Sequence, residues 1–346
     1  MVPKVNAYDH LNLPAKGEYD LQSEEGKQIL EMLDRERVKA EEKLKHNSKM
    51  PKLSAVFEAE ETKDLEDWNL DIIEMNDFEL IVLARDIFTK MDLFEKYQIP
   101  QQIFLNFMWE AHYYYTRNNP PYHNFNHAIL VFHGCFILLK RSTKLSALLA
   151  HDEQFAFLVS ALGHDLDHRG RNNHFEINSS SELAIRYHDV SPLEQHHAAI
   201  LFTILTKHES NLMRMVDATR SKGLRQMMIT NIKNTDMVKH FDMLVKFRKC
   251  MVNDAKFGSL DRKFRDMKSL SSIFLFSFIL QNFQIFQIFN FFIEPEEKLK
   301  EDKQLISSMF LHVSDIGASA RSFNVADKWN RKVVKEFSDQ VKQIPT

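Results

Sequence analysis

Gly163-His164-Asp165-Leu166-Asp167-His168-Arg169-Gly170 sets two imidazoles and two carboxylates within five successive positions, bounded by glycines. Read as a short helix, it has adjacent His164 and Asp165 diverging by about 100°, while His168 returns to the face of His164 one turn later. One imidazole then serves one ion while the neighbouring carboxylate reaches between two, which makes Asp165 the natural bridge. Three distant segments complete the set: Tyr122-His123-Asn124-Phe125-Asn126-His127, Thr235-Asp236 and Ser314-Asp315. Zinc and its first-row neighbours favour imidazole nitrogen, and carboxylate oxygen also suits magnesium and manganese, so a mixed His/Asp set fits a hydrolytic site with two ions. His127, His164, Asp165 and Asp315 are the candidate ligands. Two ions roughly 3.5 to 4 Å apart can hold a hydroxide between them and neutralise the charge that its attack builds on phosphorus. The chemistry expected is that of a metal-dependent phosphohydrolase.

His123 stands one helical turn before His127, about 6 Å along the axis, and so faces the same side without being a ligand. A phosphodiester does not readily expel an alkoxide near neutral pH, and an imidazole of pKa about 6.5 can supply the proton. His123 is therefore the candidate general acid, in need of a partner that keeps it protonated and aimed. His168 could bind a metal-held water or orient a ligand. With 16 histidines, pairs at four-residue spacing also arise by chance. His133, His151, His174, His188, His196, His208 and His240 are read as including several ordinary surface or core residues.

Together with their neighbours, these segments resemble the class I cyclic nucleotide phosphodiesterases, within the His-Asp (HD) phosphohydrolase superfamily. Tyr122-His123-Asn124-x-x-His127-Ala128 is similar to the family's opening signature, and Gly163 to Gly170 to its second. Asn178-Ser179-Ser180-Ser181-Glu182-Leu183-Ala184, Leu193-Glu194-Gln195-His196-His197 and Thr235-Asp236-Met237-x-Lys239-His240 resemble the stretches that follow. Upstream, Trp68-x-x-Asp71-Ile72 and the run from Ile99-Pro100 to Asn118-Asn119-Pro120 resemble the start of the catalytic domain. The likeness covers about residues 68 to 340, with one interruption.

The resemblance implies an all-α, compact multi-helix HD-type catalytic domain that hydrolyses a 3',5'-cyclic nucleotide, cyclic AMP or cyclic GMP, to the 5'-monophosphate. It implies a zinc-like ion on His127, His164, Asp165 and Asp315, and a second ion, magnesium or manganese, on Asp165 through a largely aqueous shell. Glu194, His197 and Thr235, with His168, match positions that hold waters or side chains around that second ion. His123 matches the proton donor, Glu336 the carboxylate that pairs with it, and Tyr122 a residue of the nucleotide pocket. Glu194, Thr235 and Glu336 come from the resemblance alone.

Composition sets the outer bounds. The 346 residues suit one large or two ordinary domains, and a 44% hydrophobic content can build a core. Only 8 glycines and 9 prolines, against many Glu, Lys, Leu and Met, favour helices over a strand-and-turn protein. A formal net charge of -3 gives little pull toward nucleic acid, so a small phosphodiester is the expected substrate. Cys135 and Cys250 are too few for a disulfide framework, which suits a reducing cytoplasm. Met1 to Asp20 lacks the apolar core of a signal peptide.

Residues 1–67 are charged and helix-favouring. Their thin apolar stripe of Leu30, Met32, Leu33 and Val38 reads as a linker or capping helix, with a regulatory or homodimerising helix as the alternative. Residues 68–346 form the expected catalytic domain, with core helices over Phe78–Phe94 and Ile103–Tyr114. An uncharged Phe-, Ile-, Asn- and Gln-rich stretch, the core of an insertion at about 269–296, is long enough to span a bilayer. Its repeated Ser, Gln and Asn, and the need to keep Asp315 beside its fellow ligands, argue against a membrane span. Its bias also resembles translated non-coding sequence. The family pattern continues beyond Glu336 into the helices that grip and stack on the purine, and these 346 residues hold no counterpart. A catalytically impaired or regulatory fragment is the competing expectation.

Overall fold

The computed structural model describes residues 24–252 and 299–343. The expected Phe-rich insertion, about 269–296, lies outside the described residues. The chain divides into two units, Met1–Lys52 and Leu53–Thr346. The first contributes the helix Glu24–Asn47, stitched between successive turns by Arg37 to Asp34 (2.6 Å) and to Glu41 (3.4 Å) and by Lys39 to Glu36 (2.8 Å). Such exposed pairs contribute only about 0.3–0.5 kcal/mol each. Met32, Val38 and Leu44 of this helix are exposed.

In the second unit all described regular structure is helical. Two helices form its centre. Phe125–Arg141 is buried without interruption from His127 to Leu139, and His151–Gly163 is buried from Gln154 onward. A helix that is apolar on all sides belongs inside a core. These two pack on each other and on Leu299–Asp315, Ala218–Lys233 packs on His151–Gly163, Asp77–Lys90 and Gln101–Thr116 cover Phe125–Arg141, and Pro192–Leu205 lies over His151–Gly163. Gly163 lies where Pro192–Leu205 crosses. A Cβ there would come within 2.8–2.9 Å of the Leu201 methyls, so glycine lets the helices approach without displacing Leu201. Start signals are local and polar. Asn76 and Glu79 form a reciprocal capping box, and Asn124, Asn172, Ser181 and Asp217 each accept a backbone N–H of the first turn they precede.

Two polar devices fix the helix that ends at Asp315. At its middle, buried Asn231 donates to Ser307 Oγ (3.0 Å) and Ser160 Oγ (3.3 Å), and its carbonyl accepts from Gln304 (2.7 Å) and Ser308 (3.1 Å). Each bond is worth only about 0.5–1.5 kcal/mol net, but breaking one leaves a buried polar atom unpaired, so the set fixes helix register. Just past its end, buried Arg321 donates to the carbonyls of Trp68 (2.5 Å) and Leu70 (3.3 Å) and lies over the Trp68 ring. The Trp68 indole in turn donates to Ala320 O (3.1 Å). Burial pulls the Arg321 guanidinium down to about 9, which still leaves it charged at neutral pH.

The apolar periodicity over Phe78–Phe94 overstates one helix. Asp77–Lys90 stops at Met91, and after Asp92, whose φ is +54°, a separate turn runs Leu93–Lys96. The second periodic run lies within Gln101–Thr116. Among the described residues no helix is long and apolar enough to cross a membrane.

Candidate metal centre

Three helix ends converge on one point. His127 occupies the first turn of Phe125–Arg141, His164 follows the last turn of His151–Gly163, and Asp315 closes Leu299–Asp315. His127 Nε2 lies 3.1 Å from Asp315 Oδ1, 3.3 Å from Asp165 Oδ2 and 3.3 Å from His164 Nε2. His164 Nε2 lies 3.1 Å from Asp165 Oδ2 and 3.4 Å from Asp315 Oδ1. Donors about 2.0–2.2 Å from a shared ion stand about 3.0–3.5 Å apart at octahedral or tetrahedral angles, so these separations fit one cation. The tautomer fits as well. His164 Nδ1 lies 2.8 Å from Ala161 O and donates to it, which turns the lone pair of Nε2 toward the other donors. Burial opposes a charge on His164, but Asp165 and Asp315 outweigh it and raise its proton affinity well above the ordinary value. A divalent cation can take that proton's place.

Two helical placements expected from spacing do not hold. The helix ends at Gly163, residues 164–167 form a turn, and Asp167 has φ +67°. His168 therefore does not follow His164 by one helical turn. Its side chain comes beside His123, with ring centroids 4.0 Å apart. Nor is His123 helical, because the helix begins at Phe125 with Asn124 as its cap. His123 is instead held by Glu336, whose carboxylate accepts the backbone N–H groups of Tyr122 (2.8 Å) and His123 (3.1 Å) and the His123 Nδ1–H. The His123 and His127 ring centroids are 5.4 Å apart, which sets the pair at the edge of the donor cluster.

Burial would lower the His123 pKa, yet Asp165, then Glu336 and Asp315, raise it to about 9. The same pairing holds the Glu336 carboxyl at about 2 against its own burial. The pair thus carries opposite charges across neutral pH. Burial, followed by the charge on His123, keeps His168 neutral. Its Nδ1 accepts the Gly170 N–H at 3.0 Å. His123, His168 and Glu336 also lie close enough together to suggest a second ion. The two rings are tilted 32° from parallel, however, and their Nδ1 atoms are already engaged, that of His123 by Glu336 and that of His168 by the Gly170 N–H.

The remaining expected residues surround the donors unevenly. His197 Nδ1 donates to Leu166 O (2.7 Å) and its Nε2 lies 3.7 Å from Asp165 Oδ1. Glu194 accepts from Asn173 (2.9 and 3.2 Å). Burial, followed by Asp236, raises the Glu194 carboxyl to about 7. The Thr235 hydroxyl donates to Ile232 O at 2.8 Å. Tyr122 is buried, its ring centroid 4.6 Å from that of His127 and edge-on to Trp329. Spacing did not reveal Tyr115, whose hydroxyl accepts the Asp165 N–H and donates to Leu162 O, both at 3.1 Å. In Tyr113-Tyr114-Tyr115 only the aromatic run shows in sequence, and that reads as core.

The chain is similar to known proteins over the same residues that build this centre. The family model described as 3'5'-cyclic nucleotide phosphodiesterase matches residues 122–344. The 3',5'-cyclic-nucleotide phosphodiesterase regA of Dictyostelium discoideum is 29% identical over 281 residues, 81% of this chain and 30% of the relative. The cGMP-specific 3',5'-cyclic phosphodiesterase gamma of Plasmodium yoelii is 41% identical over 170 residues, 47% of this chain and 21% of the relative. The chain thus spans less than a third of the length of either. The crystal structure of the phosphodiesterase domain of Salpingoeca rosetta rhodopsin phosphodiesterase superposes with a TM-score of 0.66 at 27% identity, covering 81% of this chain and 73% of that one. The all-helical fold, the matched span and the converging His/Asp donors agree, and the chain belongs to the 3'5'-cyclic nucleotide phosphodiesterase family.

Proposed function

We propose that this chain hydrolyses a 3',5'-cyclic nucleotide to the nucleoside 5'-monophosphate. The observation that carries the reading is the pairing of a four-donor cluster with a His123 that Glu336 holds 5.4 Å, ring to ring, from His127. His127, His164, Asp165 and Asp315 would hold a zinc-like ion, and Asp165 would share a magnesium or manganese ion surrounded by His168, His197, Glu194 and Thr235. Bound ions would supply Lewis acidity and neutralise charge on the phosphoryl oxygens. The residues of the chain supply the rest. Glu336 accepts three hydrogen bonds, from the backbone N–H groups of Tyr122 and His123 and from His123 Nδ1–H, and the last of these orients the ring. With Nδ1–H given to Glu336, the Nε2 proton of the imidazolium is the one available to the leaving 3'-oxygen. Two cysteines in the whole chain suit a reducing compartment, and we place the reaction in the cytoplasm. The direct test is 31P NMR of cyclic AMP and cyclic GMP incubated with the protein and Mn2+. Only the 5'-monophosphate is expected, and its formation should stop on chelation. Release of the 3'-monophosphate, or turnover that survives complete chelation, would sink the reading.

A pH profile tests the proton donor. The folded pKa of His123, about 9, lies above its ordinary 6.5, so its proton is fully present at neutral pH and is lost as pH rises through about 9. Glu336→Gln removes one of the three carboxylate charges that raise the His123 pKa, the one in direct contact with Nδ1, and keeps the carbonyl for the two N–H groups. The alkaline limb of kcat is expected to move down by about one unit or more. An unmoved limb would show that Glu336 does not set the donor's pKa.

A further inference from the structure

The turn that carries the bridging carboxylate is secured from outside itself. Asp165 N–H is held by Tyr115 Oη (3.1 Å) and Leu166 O by His197 Nδ1–H (2.7 Å). At the next position the side chain takes over. Asp167 is completely buried, and its carboxylate accepts from Arg117 through Nε (2.5 Å) and Nη2, from Asn118 Nδ2 (2.7 Å) and from His196 Nε2 (2.7 Å). Asn118 Nδ2 also reaches the carbonyls of Asp167 (3.4 Å) and His168 (3.3 Å). The backbone there is left-handed, φ +67°, a conformation that L-residues adopt uncommonly and that Asp reaches most readily when its side chain is hydrogen-bonded. These donors come from the end of Gln101–Thr116 and from Pro192–Leu205, so one carboxylate ties two helices to the residue between Asp165 and His168.

We propose that Asp167 is a positioning residue of the metal centre: its bonds to Arg117, Asn118 and His196 hold the left-handed turn that aims Asp165 at the cation and seats His168 against His123. The inference rests on the metal-centre reading. Groups that orient metal ligands from behind are worth about 10–100-fold in metal affinity or activity. Asp167→Asn is the informative variant, since asparagine tolerates the left-handed backbone and keeps the shape while losing the charge. Mn2+ binding is read directly from the EPR signal of free Mn2+, alongside the Mn2+ dependence of cyclic AMP and cyclic GMP hydrolysis. The Mn2+ concentrations for half-binding and for half-maximal kcat are both expected to rise 10–100-fold, with KM within twofold of wild type once Mn2+ saturates. Arg117→Gln, at the half-exposed outer end of the same knot, is expected to shift both in the same direction by a smaller factor. If Asp167→Asn does not fold, Arg117→Gln decides. A folded variant with wild-type Mn2+ affinity and only a lower melting temperature makes the knot a stability feature and overturns the proposal. Wild-type protein that binds no Mn2+ overturns the metal-centre reading and this one with it, whereas wild-type binding beside an equally tight variant overturns this one alone.

Discussion

Asp315→Ala is expected to lower cyclic-nucleotide hydrolysis by roughly 10³-fold or more while leaving the protein folded. Asp315 contributes Oδ1 to the cluster at 3.1 Å from His127 Nε2 and 3.4 Å from His164 Nε2, and it ends a helix whose register is set elsewhere, at Asn231 and Arg321. Its loss therefore deletes a donor without dismantling the scaffold. Losing about 4 kcal/mol of charge stabilisation corresponds to three orders of magnitude in rate. A second readout separates this from a folding defect. A cation that binds only the folded protein stabilises it by about 2.7 kcal/mol at a hundred times its Kd, so the wild type is expected to melt higher with Mn2+ or Zn2+ than after chelation, and Asp315→Ala is not. If the variant keeps the metal-induced rise in melting temperature and the wild-type rate, Asp315 is not a ligand.

The donor set was legible in sequence because its chemistry is carried by residue type: imidazoles and carboxylates beside glycines and in scattered short segments need no knowledge of the path between them. The backbone that presents those donors was not legible, and the reason is physical. Local spacing favours a helix through His164 to His168, but the left-handed residue Asp167 is stabilised by Arg117, Asn118 and His196, which lie 29 to 50 positions away in sequence. His123 is placed by Glu336, 213 positions distant, and only the family resemblance pointed to that partner. Among the histidines read as including ordinary surface or core residues, only His196 takes part in holding the turn that bears Asp165. His133, His196 and His240 are all buried, and His196 bonds Asp167, a partner 29 positions away that its own neighbours in sequence do not indicate. The helix break at Asp92 is of the same kind, since apolar periodicity runs straight across it.

His123→Ala should lower kcat for cyclic nucleotides by about 10²–10⁴-fold, the usual contribution of a positioned general acid, and leave Mn2+ affinity unchanged, because His123 stands beside the cluster without supplying a donor to it. The leaving group decides whether the role is proton donation. A 3'-alkoxide needs a proton as it departs, whereas p-nitrophenolate does not, so hydrolysis of a nucleoside p-nitrophenyl phosphodiester should fall far less in the same variant. Alanine also leaves the buried Glu336 carboxylate with two backbone N–H partners in place of three donors, which lowers stability. His123→Asn guards against that ambiguity, since its amide can still donate to Glu336 but has no titratable proton to give. If His123→Asn restores the melting temperature and kcat for the cyclic nucleotide stays low, the loss belongs to the proton. Equal losses on both substrates would assign His123 to holding the phosphodiester in place, and the proton for the 3'-oxygen would have to come from another group.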